Sequence, residues 1–436
     1  MTHIDADHDK RKEDQSTEDF HPFRSKQTKD EKDAPPDRFY LVFMIFFFFG
    51  MGIALPGPLF MRAQDYWMFK FRNTSIDHVD QRNRTELQKE FVTLGNIFDI
   101  APSLLTLAVV SIFGHKVAPR IRILGSMGVI CSVSVFHVIF SEVNTDTWQR
   151  GFLILSLFMN TISGAAVLVF TVSNIALFSR FPQNYLKYYM YGNACGGIVT
   201  VILQCISLAI GSSPQSTALI YFSVGSVIFL YTLFLAIISS RLLLYQYYMD
   251  ESIEIVKPVY TFREVWDVTK KLWVNLVNIV VNLFFVMAGV PYLVISENAG
   301  TVFADKYFVP VCTFLLSDLC SLGGRVVSGP YITKRNRFVS LMLNFLLVGL
   351  FGILLLFCRT SPKENSPLLF PHDWEYMCIL SMHQIFFHFF IVSVILSVKN
   401  LVEPNQVEIG FLVMTTFSEV LAKFVGFTAV VWISLL

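Results

Sequence analysis

The chain has 436 residues, of which 54% are hydrophobic and only 15% are charged. In soluble domains about a quarter of the residues are charged. This composition therefore excludes an ordinary soluble protein and indicates one that crosses a lipid bilayer repeatedly. The net charge of +1 gives no sign of nucleic-acid binding. The seven cysteines form no CxxC pair, so we expect neither a metal site nor a disulfide framework, and no cofactor or obligate protein partner is evident.

Residues 1–38 contain no apolar run and predict a disordered cytoplasmic tail. Apolar stretches then follow, each close to the roughly 20 residues that a helix needs to cross the hydrocarbon core. We count eleven predicted spans, at residues 39–61, 91–114, 123–141, 151–178, 188–210, 216–239, 272–295, 307–333, 338–358, 376–398 and 409–435.

The longest internal loop, residues 240–271, separates six spans from five. The sequence therefore predicts an all-α polytopic membrane protein with a six-helix bundle over 39–239, a cytoplasmic connecting loop over 240–271 and a five-helix bundle over 272–436. Two bundles joined by a connector are typical of transporters.

Lysine and arginine are more frequent in the loops that follow the even-numbered spans, for example at Lys334, Arg335 and Arg337. The positive-inside rule places those loops in the cytoplasm, with the N-terminus inside and Leu436 outside. Loop 68–90 is then extracytoplasmic, and it is the exception to the charge pattern because it carries five basic residues, Lys70, Arg72, Arg82, Arg84 and Lys89. It contains the N-x-[ST] acceptors Asn73 and Asn83, which predict glycosylation and favour the plasma membrane.

Two charged residues, Asp318 and Arg325, interrupt the eighth span. A charge at membrane depth is costly unless it faces protein, water or a ligand. The two lie seven residues apart, so both project from one face of a helix. An acceptor carboxylate beside a five-donor guanidinium suits a polyhydroxylated solute. A structural ion pair that clamps two helices is the alternative, and the residues alone leave both open.

We expect other polar or small residues inside the spans to have packing roles and not binding roles. We interpret His383 and His388, five residues apart, as packing or interfacial side chains, with proton coupling as the less favoured alternative. Gly192, Gly196 and Gly197 predict a close approach between helices rather than a binding site.

The order of several short motifs resembles that of the equilibrative nucleoside transporter family (solute carrier family 29). The first span has G-x-G-x-x-L-P at residues 50–56, followed by Phe60, Ala63 and Tyr66. Further matches are IRILGS at 121–126, GNACGG at 192–197, YFVPV at 307–311 and the Gly-Arg pair at 324–325. The similarity covers the whole membrane region, so the chain is identified as a divergent member of that family.

Several residues of this chain depart from the family pattern. The Trp-Asn after the first-span proline is Gly57-Pro58 here, and the family threonine is Arg62. In the eighth span the family aspartate position holds Ser321, while Asp318 occupies the family asparagine position. The resemblance therefore predicts the fold of this chain, whereas the departures leave its substrate open.

The resemblance implies facilitated diffusion of nucleosides, and in some members nucleobases, by alternating access in a major-facilitator-like fold with one helix fewer. The ribose hydroxyls would then meet Asp318 and Arg325, with Ser321 beside them. The base would lie among residues of the first, second and fourth spans, for which ordinary helix packing is the alternative reading. These aligned positions are Ala54, Met61, Ile100, Ser103 and Val167.

Two other classes of function are weighed against nucleoside transport. A facilitator of another small solute, such as an organic cation, is the alternative that the moved carboxylate motivates. An intramembrane enzyme or a receptor is less favoured, because the sequence contains no HExxH, no GxGD pair and no Ser-His constellation, and eleven spans do not fit the seven-helix receptors. We therefore expect a transporter and not an enzyme.

Overall fold

A computed structural model of the chain describes residues 34–74, 85–210, 213–249, 260–285, 294–360 and 367–435. Most of the predicted N-terminal tail, and Asn83, lie outside the described residues. The helices, in chain order, are α1 (Leu41–Ala54), α2 (Pro56–Arg62), α3 (Gln64–Lys70), α4 (Glu86–Phe113), α5 (Pro119–Glu142), α6 (Gln149–Arg180), α7 (Gln183–Ile210), α8 (Pro214–Ser239), α9 (Leu243–Met249), α10 (Phe262–Phe284), α11 (Val302–Lys306), α12 (Leu316–Val327), α13 (Arg337–Leu355), α14 (Asp373–Leu396), α15 (Val398–Leu401) and α16 (Val407–Leu435).

Eight helical stretches among the described residues are long and apolar enough to cross a membrane. They confirm a multi-pass helical membrane protein and match eight of the predicted spans. These stretches are Arg38–Arg62, Pro119–Glu142, Gln149–Arg180, Gln183–Ile206, Pro214–Ser239, Phe308–Val327, Arg337–Leu355 and Asp373–Leu396.

The other three predicted spans coincide with the helices α4, α10 and α16, which are not among those eight. Helix α10 begins at Phe262 and not at residue 272, because Thr261 and Glu264 form a capping box at its start. Helix α9 and the first turns of α10 thus lie inside the stretch predicted as a connecting loop. Hydropathy located the apolar middle of α10 and missed its polar beginning.

Helix α10 also buries a stripe of asparagines, which lowers its hydropathy. Asn275, Asn278 and Asn282 are fully buried and, at i, i+3 and i+7, share one face. Asn344 on α13 donates from Nδ2 to Asn278 Oδ1 at 3.0 Å, and Asn275 donates to the carbonyl of Val394 on α14 at 3.2 Å. These bonds hold α10, α13 and α14 together.

Pro56 divides the first span into α1 and α2. A proline has no N–H to donate and clashes with the preceding turn, so α1 ends at Ala54 and α2 begins at Pro56. The hydrogen bond from Leu59 N to Leu55 O, at 2.9 Å, keeps the two pieces in sequence. Helix α2 then ends at Arg62.

Glycines set the close approach of the helices around the site. A Cβ added at Gly192 on α7 would lie 1.8 Å from the Phe47 carbonyl of α1, and one at Gly324 on α12 would lie 2.4 Å from the Ile385 carbonyl of α14. No larger residue fits without moving a backbone. The predicted close approach at Gly192 is therefore confirmed. Gly324 likewise allows α12 to pack closely against α14.

Candidate functional site

Asp318 lies in the first turn of α12, directly after a π-helical segment, Phe308–Leu315. Single π-helical turns within a longer helix occur frequently at functional sites. Pro310 in that segment cannot donate to a regular helical ladder. The irregular turns therefore precede the first of the two charged residues in the eighth span.

The carboxylate of Asp318 pairs with Arg62 at the end of α2. Arg62 Nη2 lies 3.4 Å from Asp318 Oδ2, longer than the roughly 2.7–2.9 Å of an optimal charge-assisted hydrogen bond. The exposed fractions of the two side chains are 16% and 22%. Both groups are thus largely enclosed, yet the carboxylate keeps some accessible surface and its ion pair is loose.

Helix α7 supplies the surface on which this pair rests. Arg62 Nη1 donates to the carbonyl of Gly197 at 3.1 Å and also bonds the hydroxyl of Thr200. A Cβ at Gly197 would lie 2.6 Å from Asp318 Oδ1, so only a glycine lets the carboxylate lie against α7. The guanidinium of Arg62 also stands 5.1 Å from the centre of the Phe314 ring, which is a cation–π distance.

Arg325, two turns further along α12, turns to a different set of partners. Its Nη1 donates to the Met190 carbonyl and to Asn193 Oδ1 of α7, each at 2.7 Å. Its Nη2 lies 3.3 Å from Nδ1 of His388 on α14. Because a guanidinium can only donate, Nδ1 of His388 accepts, which places the ring proton on Nε2 and leaves that imidazole neutral.

The two charged residues of the eighth span therefore do not serve mainly as each other's partner. Asp318 is held by Arg62, and Arg325 by the uncharged acceptors of α7 and α14. The side chain of Arg325 is buried, and its Nε has no hydrogen-bond partner among the described residues. A buried donor without a partner costs about 1–3 kcal/mol, so this enclosed N–H is an unsatisfied donor of the site.

Arg62, Asp318 and Arg325 are together called the charged cluster below. It contains two cations and one anion, which leaves one excess positive charge on these three side chains. Ionisable groups at membrane depth that are turned inward mark solute pathways or pair with each other. Here one pair and one singly charged group occur where α2, α7, α12 and α14 meet.

The remaining predicted site residues fall into two groups. Ser321 is buried on α12, between Asp318 and Arg325. Ala54 packs against α7, because its Cβ lies 2.9 Å from the position that a Cβ at Gly196 would take. Met61 immediately precedes Arg62 and is 59% exposed, so it is not a packed core residue. These three lie next to members or contacts of the charged cluster.

The other predicted residues have no contact with the cluster among the interactions described. Ser103 is buried on α4 and Val167 is partly buried on α6. The carbonyl of Val167 accepts a hydrogen bond from Thr171 at 2.9 Å. Ile100 belongs to α4, and its side chain lies outside the described residues.

The sequence interpretation missed three members of this arrangement. Arg62 counted only as a departure from the family pattern, although a charge at the end of an apolar helix could have been tested for a partner. His388 was interpreted as packing or interfacial and instead accepts from Arg325. Asn193 was quoted only as part of a glycine motif. None of the three pairings follows from helical spacing, because each crosses between distant helices.

A second group of contacts joins the two halves of the chain at the beginning of α7. Gln183 at the start of α7 donates from Nε2 to the Leu396 carbonyl at 3.0 Å. Lys399 donates to the Phe181 carbonyl at 2.5 Å. The beginning of α7 is therefore fastened to the end of α14.

These observations define a multi-pass helical membrane protein whose helices enclose a charged cluster. Comparison with known proteins then narrows the class. The family model described as "Nucleoside transporter" matches residues 157–257. Equilibrative nucleoside transporter 3 of Rattus norvegicus is 26% identical over 375 residues, which cover 78% of this chain and 77% of that protein.

Two human proteins extend the comparison. Equilibrative nucleoside transporter 1 of Homo sapiens is 22% identical over 391 residues, with 78% of this chain and 85% of that protein covered. Equilibrative nucleoside transporter 2 of Homo sapiens is 21% identical over 452 residues, with coverages of 88% and 95%. The resemblance to the equilibrative nucleoside transporters that the motifs indicated is confirmed, and these names describe transporters rather than enzymes.

Proposed function

We propose that the chain is a facilitative transporter of nucleosides, and of nucleobases as a second substrate class, that works by alternating access. The observation that carries this proposal is the charged cluster, in which Asp318 offers a partly accessible acceptor and the buried guanidinium of Arg325 carries an Nε–H that has no partner among the described residues. A ribose hydroxyl both donates and accepts, so a pair of neighbouring hydroxyls matches one acceptor and one donor. The similarity to nucleoside transporters over most of the chain supports the same reading.

The base of the substrate is assigned to residues of the first, second and fourth spans, of which Ala54 and Met61 lie next to the cluster. Ala54 and Met61 on the first span, and Ile100, Ser103 and Val167 on the second and fourth, form the proposed lining, with Ser321 beside the ribose. A water-poor cavity discriminates through its polar groups, since a substrate that lacks a hydroxyl leaves a buried partner unpaired. Ribosides are therefore expected to bind more tightly than free bases.

The proposed membrane layout has eleven spans in a 6+5 arrangement, with bundles over 39–239 and 272–436 and a cytoplasmic connector over 240–271. Eight apolar helices and the long helices α4, α10 and α16 at the remaining positions support it. Arg62 and Asp318 then belong to different bundles, as do Gln183 and the Leu396 carbonyl. Alternating access requires such contacts to break in turn on the two sides of the membrane.

We assign the chain to the plasma membrane, with the N-terminus in the cytoplasm and the C-terminus outside. The connection between α3 and α4 is then extracellular, and Asn73 in it is exposed. Glycosidase treatment should increase gel mobility, and the combined replacement Asn73→Gln and Asn83→Gln should remove that shift. A tag in this connection that antibodies reach only after the cells are permeabilised would invert the topology.

The direct test is uptake of radiolabelled uridine and adenosine by cells that lack endogenous nucleoside transporters. Expression of this chain should give saturable uptake of both, and organic cations should compete poorly. An organic-cation facilitator would show the reverse pattern. Surface labelling in the same cells ensures that a negative result reflects the site and not a failure to reach the membrane.

A further inference from the structure

The two charged departures from the family pattern contact each other. Arg62 stands where the pattern has threonine, Asp318 stands where it has asparagine, and their side chains form the 3.4 Å ion pair. They lie on α2 and α12, separated by 256 residues in sequence. A guanidinium and a carboxylate that replace two uncharged residues at one contact act as a unit, because either alone would be an unpaired charge in a membrane helix.

The surroundings of Arg62 are those of a site for a cation. The guanidinium is faced by the Asp318 carboxylate, the Phe314 ring at 5.1 Å and the Gly197 carbonyl at 3.1 Å. A carboxylate, an aromatic face and a carbonyl oxygen together favour a positive group over a neutral one. The side chain of Arg62 fills this position itself, as an internal cation.

We infer that the contact region of Asp318, Phe314 and Gly197 is a latent organic-cation site, and that Arg62 determines specificity by occupying it. With Arg62 in place, Asp318 is neutralised, and the excess positive charge of Arg325 repels cationic solutes. Without Arg62, Asp318 becomes an unpaired, partly accessible carboxylate beside an aromatic ring. The inference rests on the proposed function only for the identity of the neutral substrate that the intact site carries.

The sequence left two transport functions open, nucleoside transport and organic-cation transport, and the state of Asp318 distinguishes them. The same carboxylate would serve an organic cation if it were free, and serves a hydroxyl group when a guanidinium balances its charge. The loose geometry of the pair allows Asp318 to share its second oxygen with a substrate while Arg62 retains the first. The choice between neutral and cationic solutes is thus made by one residue of the first span.

The test compares uptake of phenyltrimethylammonium and of uridine, each per surface molecule, with the membrane potential collapsed by high external potassium. Arg62→Gln keeps the length and polarity of the side chain and removes its charge, and Arg62→Thr installs the residue of the family pattern. The control is Arg72→Gln. Arg72 likewise pairs with an aspartate, Asp146 at 3.0 Å, and stands over an aromatic ring, Phe69 at 4.0 Å, but lies outside the cluster.

Wild type and Arg72→Gln should take up the cation at background levels. Both Arg62 variants should increase cation uptake on the order of tenfold or more, because they remove a like charge from the immediate neighbourhood of the site. Adding Asp318→Asn to Arg62→Gln should abolish the gain, since the carboxylate is then absent. Cation uptake that stays at background in both Arg62 variants, or that persists after Asp318→Asn, overturns the inference.

Two further outcomes are also decisive. If an Arg62 variant is retained inside the cell, detergent extracts are assayed for thermal stabilisation by phenyltrimethylammonium, which binding to the folded state must produce; the absence of stabilisation overturns the inference. If no variant carries uridine but Arg62→Gln gains cation uptake that Asp318→Asn removes, the latent site stands and the proposed nucleoside transport fails.

Discussion

Arg325 on α12 donates to Asn193 Oδ1 on α7 at 2.7 Å, a bond that links a helix of the first half of the chain to one of the second. The same Nη1 donates to the Met190 carbonyl, one turn earlier on α7. Because His388 accepts from Nη2, three helices meet on one guanidinium. The position of Arg325 is therefore fixed from two sides, while its buried Nε–H has no partner among the described residues.

Replacement of Arg325 should abolish uptake. Arg325→Ala removes the donor assigned to the ribose and the bonds to α7 and α14, and Arg325→Lys should rescue poorly because an ammonium cannot reproduce the planar fork. The measurement is uridine uptake beside surface biotinylation. Normal uptake by Arg325→Ala would contradict both a binding and a structural role for this side chain.

The exchange of Asp318→Arg with Arg325→Asp offers a second test of the pairing. A direct ion pair between these residues would survive the exchange, but Asp318 pairs with Arg62 and Arg325 with uncharged acceptors. We therefore expect the exchange to lose function and surface expression. Recovery in the exchanged variant would show that the two residues do pair with each other.

His388 should act through its acceptor nitrogen. Asn places an acceptor oxygen close to the position of Nδ1, whereas Gln places one close to Nε2, so His388→Asn should retain more uptake than His388→Gln or His388→Leu. Loss of the acceptor leaves a buried charged donor unsatisfied, at a cost of about 1–3 kcal/mol. Equal uptake by the Asn and Leu variants would show that the acceptor nitrogen of His388 does not contribute to the site.

Gly197 should tolerate no side chain. The added Cβ of Gly197→Ala would lie 2.6 Å from Asp318 Oδ1, and relief requires a shift of α7 or of the carboxylate, typically at about 1–3 kcal/mol. We expect reduced uptake and lower thermal stability. Gly323→Ala is the matched control on α12, because a Cβ there meets nothing within 4 Å. Identical behaviour of the two variants would contradict the described contact.

His372, just before α14, should make stability depend on pH. Its Nδ1 lies 2.8 Å from Glu297 Oε2, and this hydrogen bond raises the pKa of His372 above its ordinary value. The stabilisation is fully present below the unfolded pKa of roughly 6.5 and is lost as the pH rises through the raised folded pKa. His372→Ala should therefore lower the melting temperature more at pH 6 than at pH 9.

A second exposed pair provides the control for that experiment. Glu403 bonds Lys271 at 2.8 Å, and this lysine lowers the pKa of Glu403. The carboxylate is thus ionised at both pH 6 and pH 9, and any effect of Glu403→Gln should be the same at the two values. If His372→Ala shows no more pH dependence than Glu403→Gln, the protonated His372–Glu297 pair does not contribute.

Hydropathy was sufficient to predict where most helices lie, because burial of apolar side chains in lipid dominates the placement of a span. It missed the polar beginning of α10, residues 262–271. Asn275, Asn278 and Asn282 lie inside the predicted span and are fully buried on α10, so their low hydropathy does not report contact with water. The early start of α10 could have been predicted from Thr261 and Glu264, because their spacing is that of a capping box, which hydropathy does not detect.

The candidate site was predictable only in part, for a geometric reason. The placement of Asp318 and Arg325 on one helix follows from their spacing. Their partners Arg62, Asn193 and His388 lie on three other helices, and neither spacing nor composition predicts which faces meet. The close approaches at Gly192 and Gly324 bring α7 and α14 within reach. Long-range packing of this kind requires the folded structure.

The most direct test of the central claim uses the purified chain in proteoliposomes loaded with unlabelled uridine. Labelled external uridine should enter faster than in vesicles without internal uridine, and with no internal uridine its internal concentration should rise to the external value and no further. Imposed Na⁺ or proton gradients should not change that end point. Uptake equal to that of protein-free vesicles, or accumulation above the external concentration that collapses when a gradient is removed, would contradict facilitative nucleoside transport.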